Sequence, residues 1–173
     1  LIVVGEFTPI TFIENIGGQL LKQQNTGIEN SFGWWNSITT GDFDKDGDTD
    51  FIVGNAGENN FYCATPEQPV KLIAKDFDDN GAIDAIMSCY FKAQDGTMQA
   101  FPIQSWQELS AQSPIFRGKF KMYKEFGVTT MDEFFTPDEM KNALVLEANH
   151  LATSYVENLG NGQFAIRKLP KEA

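Results

Sequence analysis

The chain has 173 residues, 42% hydrophobic and 21% charged, enough for a core-forming domain and incompatible with wholesale disorder. Thirteen Lys+Arg against 24 Asp+Glu give a formal net charge of −11, a field that repels phosphate backbones and argues against a nucleic-acid partner. No apolar run approaches the ~20 residues of a membrane-spanning helix.

The chain opens Leu1-Ile2-Val3-Val4-Gly5, inside a β-rich run without a basic flank or an initiator Met. It reads as a piece of a longer protein and not as a signal peptide. Phe12 to Leu20 carries alternating residues around a Gly/Asn turn, the pattern of a hairpin, and Tyr155 to Phe164 repeats it. A second element also occurs twice. Gly41-Asp42-Phe43-Asp44-Lys45-Asp46-Gly47-Asp48-Thr49-Asp50-Phe51-Ile52-Val53 aligns with Lys75-Asp76-Phe77-Asp78-Asp79-Asn80-Gly81-Ala82-Ile83-Asp84-Ala85-Ile86-Met87. Each reads strand, acidic loop, strand. Short strands, turn-rich loops and internal repetition predict an all-β array of the propeller kind.

Residues 92–152 are predicted as a helical insertion. Ser105 to Glu108, Thr130 to Glu133 and Thr136 to Glu139 have capping-box spacing, and Pro114 and Pro137 sit where a helix would begin. The spacing predicts one helix from Pro114 to Phe126, ended by Gly127, with Phe116, Phe120 and Tyr123 turned into the core. Cys63 and Cys89 fall in apparent strands and read as small hydrophobes or as a disulfide pair.

The acidic loops carry the chemistry. Residues 42–50 hold five Asp, and residues 76–84 hold four Asp and one Asn. That carboxylate density is costly unless a cation sits among them. In D-x-D-x-D-G-x-x-D, alternate side chains converge while the central Gly allows the tight reversal. Asp42, Asp44, Asp46 and Asp50 are the expected side-chain ligands of the first loop, with Asp48 giving its carbonyl. Asp76, Asp78, Asn80 and Asp84 play those parts in the second, with the carbonyl from Ala82, whose side chain cannot ligate. All-oxygen ligation suits Ca²⁺ better than Mg²⁺ or zinc, at about two sites. An EF-hand would need Glu at position twelve and flanking helices; Val53 and Met87 stand there, inside strand-like runs.

At these residues the sequence resembles the FG-GAP/VCBS repeats of integrin-α-type β-propellers. Residues 31–62 are similar to the bacterial VCBS-repeat proteins associated with UnbV-like domains. The resemblance implies four-stranded blades with calcium held in the acidic loops, and an extracellular or cell-surface location. It places residues 1–30 as the later strands of one blade, 31–75 as a compressed blade and 76–173 as a blade carrying the insertion. That is about three blades, where such rings have about seven. A partial ring leaves apolar faces near Leu1-Ile2-Val3-Val4 and Phe164-Ala165-Ile166 uncovered, inviting self-association.

The sequence holds a single His, His150, with no nucleophile motif beside it, and no phosphate-cradling or zinc-protease motif. The expectation is therefore a non-enzymatic, calcium-binding module that binds protein or carbohydrate. Exposed Trp34, Trp35 or Trp106 would mark a glycan platform. The competing expectation is a part, catalytic or not, of a polysaccharide-processing enzyme.

Overall fold

The computed structural model describes residues 1–170. It is 37% strand and 15% helix. The strands before the first acidic loop are β1 (Ile2–Val3), β2 (Glu6–Thr8), β3 (Thr11–Ile16), β4 (Gln19–Lys22), β5 (Gly33–Trp34) and β6 (Ser37–Gly41); β7 (Asp50–Gly54) follows it. Then come β8 (Val70–Lys75), β9 (Asp84–Lys92) and β10 (Met98–Pro102). Five short helices follow: α1 (Trp106–Gln112), α2 (Pro114–Lys119), α3 (Tyr123–Phe126), α4 (Met131–Phe134) and α5 (Pro137–Met140). The chain returns to strand in β11 (Leu144–Ala148), β12 (Ser154–Asn158) and β13 (Phe164–Lys168).

Two compact units emerge, one of Leu1–Glu67 with the described residues from Glu147 onward, the other of Gln68–Leu146. In the first, β13-β12-β7-β6 form a four-stranded antiparallel sheet. The smaller sheets β1-β3-β4 and β2-β5 complete it. Both hairpins expected from the repeated pattern form. Between β3 and β4 the turn is Gly17-Gly18, with φ of 60° and 90°, angles that Gly adopts without a Cβ penalty. The core gathers Ile10, Phe12, Ile28, Trp35, Phe51, Val53 and Val156, with Phe12 stacked on Phe164 at 3.9 Å between ring centres. Leu1 and Val3 are exposed, but Ile2, Val4, Phe164 and Ile166 are partly buried against this core, so the expected bare face at Phe164–Ile166 is not bare.

In the second unit β10-β9-β8-β11 form another four-stranded sheet. Its core joins Ile73 and Ile86 of the strands to Leu109, Phe116, Met131, Phe134 and Phe135 of the helical stretch. The described residues thus form several antiparallel sheets and no closed one. The sheet carrying the first acidic loop takes half its strands from after residue 153, because Ser154–Val156 pair with Val53–Phe51.

The helical stretch is narrower than 92–152. Asp95 and Gly96 turn β9 into β10, with the Asp95 carboxylate accepting from the Thr97 amide and hydroxyl, and helix starts only at Trp106. All three Thr/Ser–Glu pairs engage: Glu108, Glu133 and Glu139 each accept from the backbone amide of Ser105, Thr130 and Thr136. The single helix predicted over 114–126 is two. Phe120 is extended, and Glu125 accepts from the Lys121 and Met122 amides to start α3 afresh, while Gly118 weakens continuation. The break leaves Phe116 fully buried, Phe120 partly buried and Tyr123 58% exposed, so Tyr123 is not a core residue. Both cysteines are thiols; Cys89 is buried in β9, but Cys63 lies exposed in a loop and not in a strand.

Candidate metal centre

The first loop links β6 to β7, and the second links β8 to β9. Pairing of Gly41 with Asp50, and of Lys75 with Asp84, closes each loop at its neck. Within them the backbone follows one path. Lys45 and Gly47 have φ of 67° and 98°; Asp79 and Gly81, in the matching positions, have 56° and 86°. These left-handed turns aim the carboxylates inward.

The convergence is selective. Oxygens of Asp42, Asp44 and Asp50 lie within 4.8 Å of one another, as do those of Asp76, Asp78 and Asp84. Each triad includes one buried member, Asp50 or Asp84, at the start of a strand. These two are fixed alike. The Phe43 amide donates to Oδ2 of Asp50 at 3.2 Å, and the Phe77 amide to Oδ2 of Asp84 at 3.1 Å.

The remaining sequence-predicted ligands stand differently. Asp46 Oδ1 accepts from the Asp48 amide at 3.0 Å, and Asn80 Oδ1 from the Ala82 amide at 2.7 Å, so these side chains shape the turn. Asp48, expected to act through its carbonyl, has a side-chain Oδ1 that is buried and lacks a hydrogen-bond partner. Burial, then the charges of Asp46, Asp50 and Asp44, push its carboxyl above the ordinary range. Asp76 accepts from the Asn80 and Gly81 amides at 3.0 and 2.7 Å.

Donors from outside the loops hold them further, and sequence reasoning did not assign these roles. Tyr155 donates its hydroxyl to Asp50 Oδ2 at 2.7 Å, and the Asn158 amide donates to Oδ1 at 2.9 Å. Burial raises the Asp50 carboxyl, but donation from Asn158, Tyr155 and Phe43 outweighs it and holds the group below the usual carboxylate range. In the second loop Ser113 donates to Asp78 Oδ2 at 2.7 Å, while Asp78 Oδ1 is buried without a partner. The repeat containing Tyr155 and Asn158 was visible in the sequence; its proximity to Asp50 follows only from the pairing of β12 with β7.

The residues present fit a hard cation. The donors are all oxygen, three carboxylates converge in each loop, and each loop keeps a buried carboxylate oxygen that no protein donor satisfies. Either triad could hold a metal ion.

A family model described as the FG-GAP repeat matches residues 34–69, spanning β6, the first loop and β7. Residues 34–69 are thus similar to an FG-GAP repeat. The second loop lies outside the matched stretch, and its likeness to the FG-GAP loop rests on the shared backbone path and triad. No curated protein and no solved structure matches the chain.

The three tryptophans and the single histidine each make contacts of their own. Trp35 is 1% exposed and donates its Nε1–H to the Ser31 carbonyl. Trp34 is partly buried beside Phe7 and Tyr62, and Trp106 partly buried, donating to the Phe116 carbonyl at 3.1 Å. His150 stacks on Trp35, its Nε2 2.7 Å from Ser154 Oγ. Because the Ser154 hydroxyl donates to the Ala152 carbonyl at 3.0 Å, the imidazole is the donor in that pair. Among the described residues no helix is long and apolar enough to cross a membrane.

Proposed function

We propose that the chain is a calcium-binding β-propeller module of an exported or cell-surface protein, serving to bind a partner and performing no catalysis of its own. The observation that carries this reading is the duplication of the loop: two stretches 34 residues apart share left-handed positions, a carboxylate triad and an amide-anchored Asp. The duplication supports a structural cation site, because a single acidic turn would be a common surface feature. FG-GAP repeats occur in extracellular and adhesion-type proteins, which supports the location. A protein partner is favoured over a glycan stacked on Trp, since Trp35 is core and Trp34 and Trp106 are partly buried. Structural engagement of His150 by Ser154 and Trp35 supports the non-catalytic reading. Association between copies near exposed Leu1 and Val3 belongs to the same partial-ring proposal.

Calorimetric titration of chelator-stripped protein tests the proposal. Two Ca²⁺ should bind, and the melting temperature lost on chelation should return with Ca²⁺ more fully than with Mg²⁺. Absence of binding together with an unchanged melting temperature would overturn it.

A further inference from the structure

Ser113 stands at a junction. Its amide donates to the Leu109 carbonyl to end α1, its carbonyl accepts from Phe116 at the start of α2, and its side chain is fully buried. A buried hydroxyl needs a partner, and here that partner is Asp78 Oδ2, 35 residues earlier in the second acidic loop. The other oxygen of the same carboxylate is the buried, unpartnered one. Asp78 therefore has one oxygen committed to the helical stretch and one left for a cation.

We propose that Asp78 couples the second loop to the helical stretch, so that a cation held there fixes the α1–α2 junction through Ser113. This rests on the reading of the second loop as a cation site. Without the cation, Asp78 is a partly buried charge crowded by Asp76 and Asp84, and anything that draws it toward solvent takes the Ser113 partner away. With the cation, the charge is balanced, the carboxylate is held and Ser113 stays satisfied. Leu109 and Phe116, both fully buried on either side of Ser113, then keep their places in the core. In the first loop the matching oxygens of Asp44 have no such link; its outside donors, Tyr155 and Asn158, hold Asp50 instead. The two sites differ in what they organise.

Amide exchange on the full chain during Ca²⁺ titration tests this, with Ser113→Ala beside the wild type. In the wild type, protection of residues 106–119 should rise at least tenfold as the second site fills, and should do so equally in Asp44→Ala, which cripples only the first loop. Ser113→Ala should weaken one of the two Ca²⁺ sites by about tenfold, the scale of losing an outer-shell partner, and uncouple that protection from Ca²⁺. Two Ca²⁺ bound with protection of 106–119 unchanged would overturn the coupling while leaving the cation sites standing. No Ca²⁺ bound at the second loop would overturn both. The wild-type exchange decides the matter should Ser113→Ala fail to fold.

Discussion

The hydroxyl of Tyr155 donates to Oδ2 of Asp50 at 2.7 Å, joining residues 105 apart in sequence. The bond exists because Tyr155 pairs with Ile52, one step along β7 from Phe51 and two from Asp50. Asp50 thus serves the loop and the sheet at once: the loop needs its carboxylate inward, and the sheet supplies the donors that keep it there. Burial, followed by the hydrogen bond to Asp50, raises the Tyr155 phenol above its ordinary value. Of the four Tyr, this one should resist ionisation in an alkaline absorbance titration until the protein unfolds. Tyr155→Phe should cost about 1.5–3 kcal/mol in denaturant unfolding, the scale of one hydrogen bond to a charged group. A four-tyrosine titration in a single ordinary step would contradict the arrangement.

Acid should destabilise the first unit through His150. Burial, then the nearby Lys168 ammonium, lowers its pKa, and Glu58 opposes them only in part. The unfolded imidazole titrates near ~6.5, so below that the unfolded chain binds a proton that the folded chain does not. The His150 contribution is therefore complete above that pH and declines as pH falls toward the lowered folded value. Thermal melts from pH 8 to 5 should show this loss, and His150→Gln should flatten it. A wild type with equal stability across that window would refute the assignment.

Lys119 is the fastening point of the helical stretch. Its ammonium donates to the Phe134 carbonyl at 2.8 Å and pairs with Glu139 at 2.7 Å, lying over the Phe134 and Phe135 rings at 5.3 and 5.2 Å. Glu139, the N3 member of the capping box that Thr136 opens for α5, is raised by burial but lowered further by Lys119 and Thr136, ending below its ordinary value. Lys119→Met keeps most of the apolar stem and removes the charge. It should cost about 2 kcal/mol, read by urea unfolding; a change under a few tenths would mean the contacts are a loose surface pair.

The acidic loops and their Gly positions were legible in the sequence because local geometry fixes them: alternate Asp and a left-handed Gly need nothing from the rest of the chain. The capping boxes were legible for the same reason. What escaped depends on distant pairing. β12 and β13 look like a late hairpin, yet they lie beside β7, and only that register brings Tyr155 and Asn158 to Asp50. Phe116 and Tyr123 shared a helical face in the sequence, but a fresh start capped by Glu125 broke the face between them. The role of Ser113 is invisible in the sequence because its partner Asp78 lies 35 residues away.

Gly47 and Gly81 give the sharpest test that the two loops are one device. Their φ values are 98° and 86°, and a Cβ added at either would meet nothing within 4 Å. Crowding therefore contributes nothing, and an Ala there is opposed by backbone conformation alone. That opposition is about 1–2 kcal/mol for an L-residue forced into the left-handed region, and it should be nearly equal in the two loops because their backbones match. Gly47→Ala and Gly81→Ala should each lower stability by that amount, measured in the presence of Ca²⁺, and each should weaken one site while sparing the other. Gly18, also left-handed and open, provides the control: Gly18→Ala should show the same conformational cost with no change in Ca²⁺ binding. Gly47→Ala and Gly81→Ala that differ by more than about 1.4 kcal/mol, a tenfold difference in equilibrium, would show that the loops only look alike.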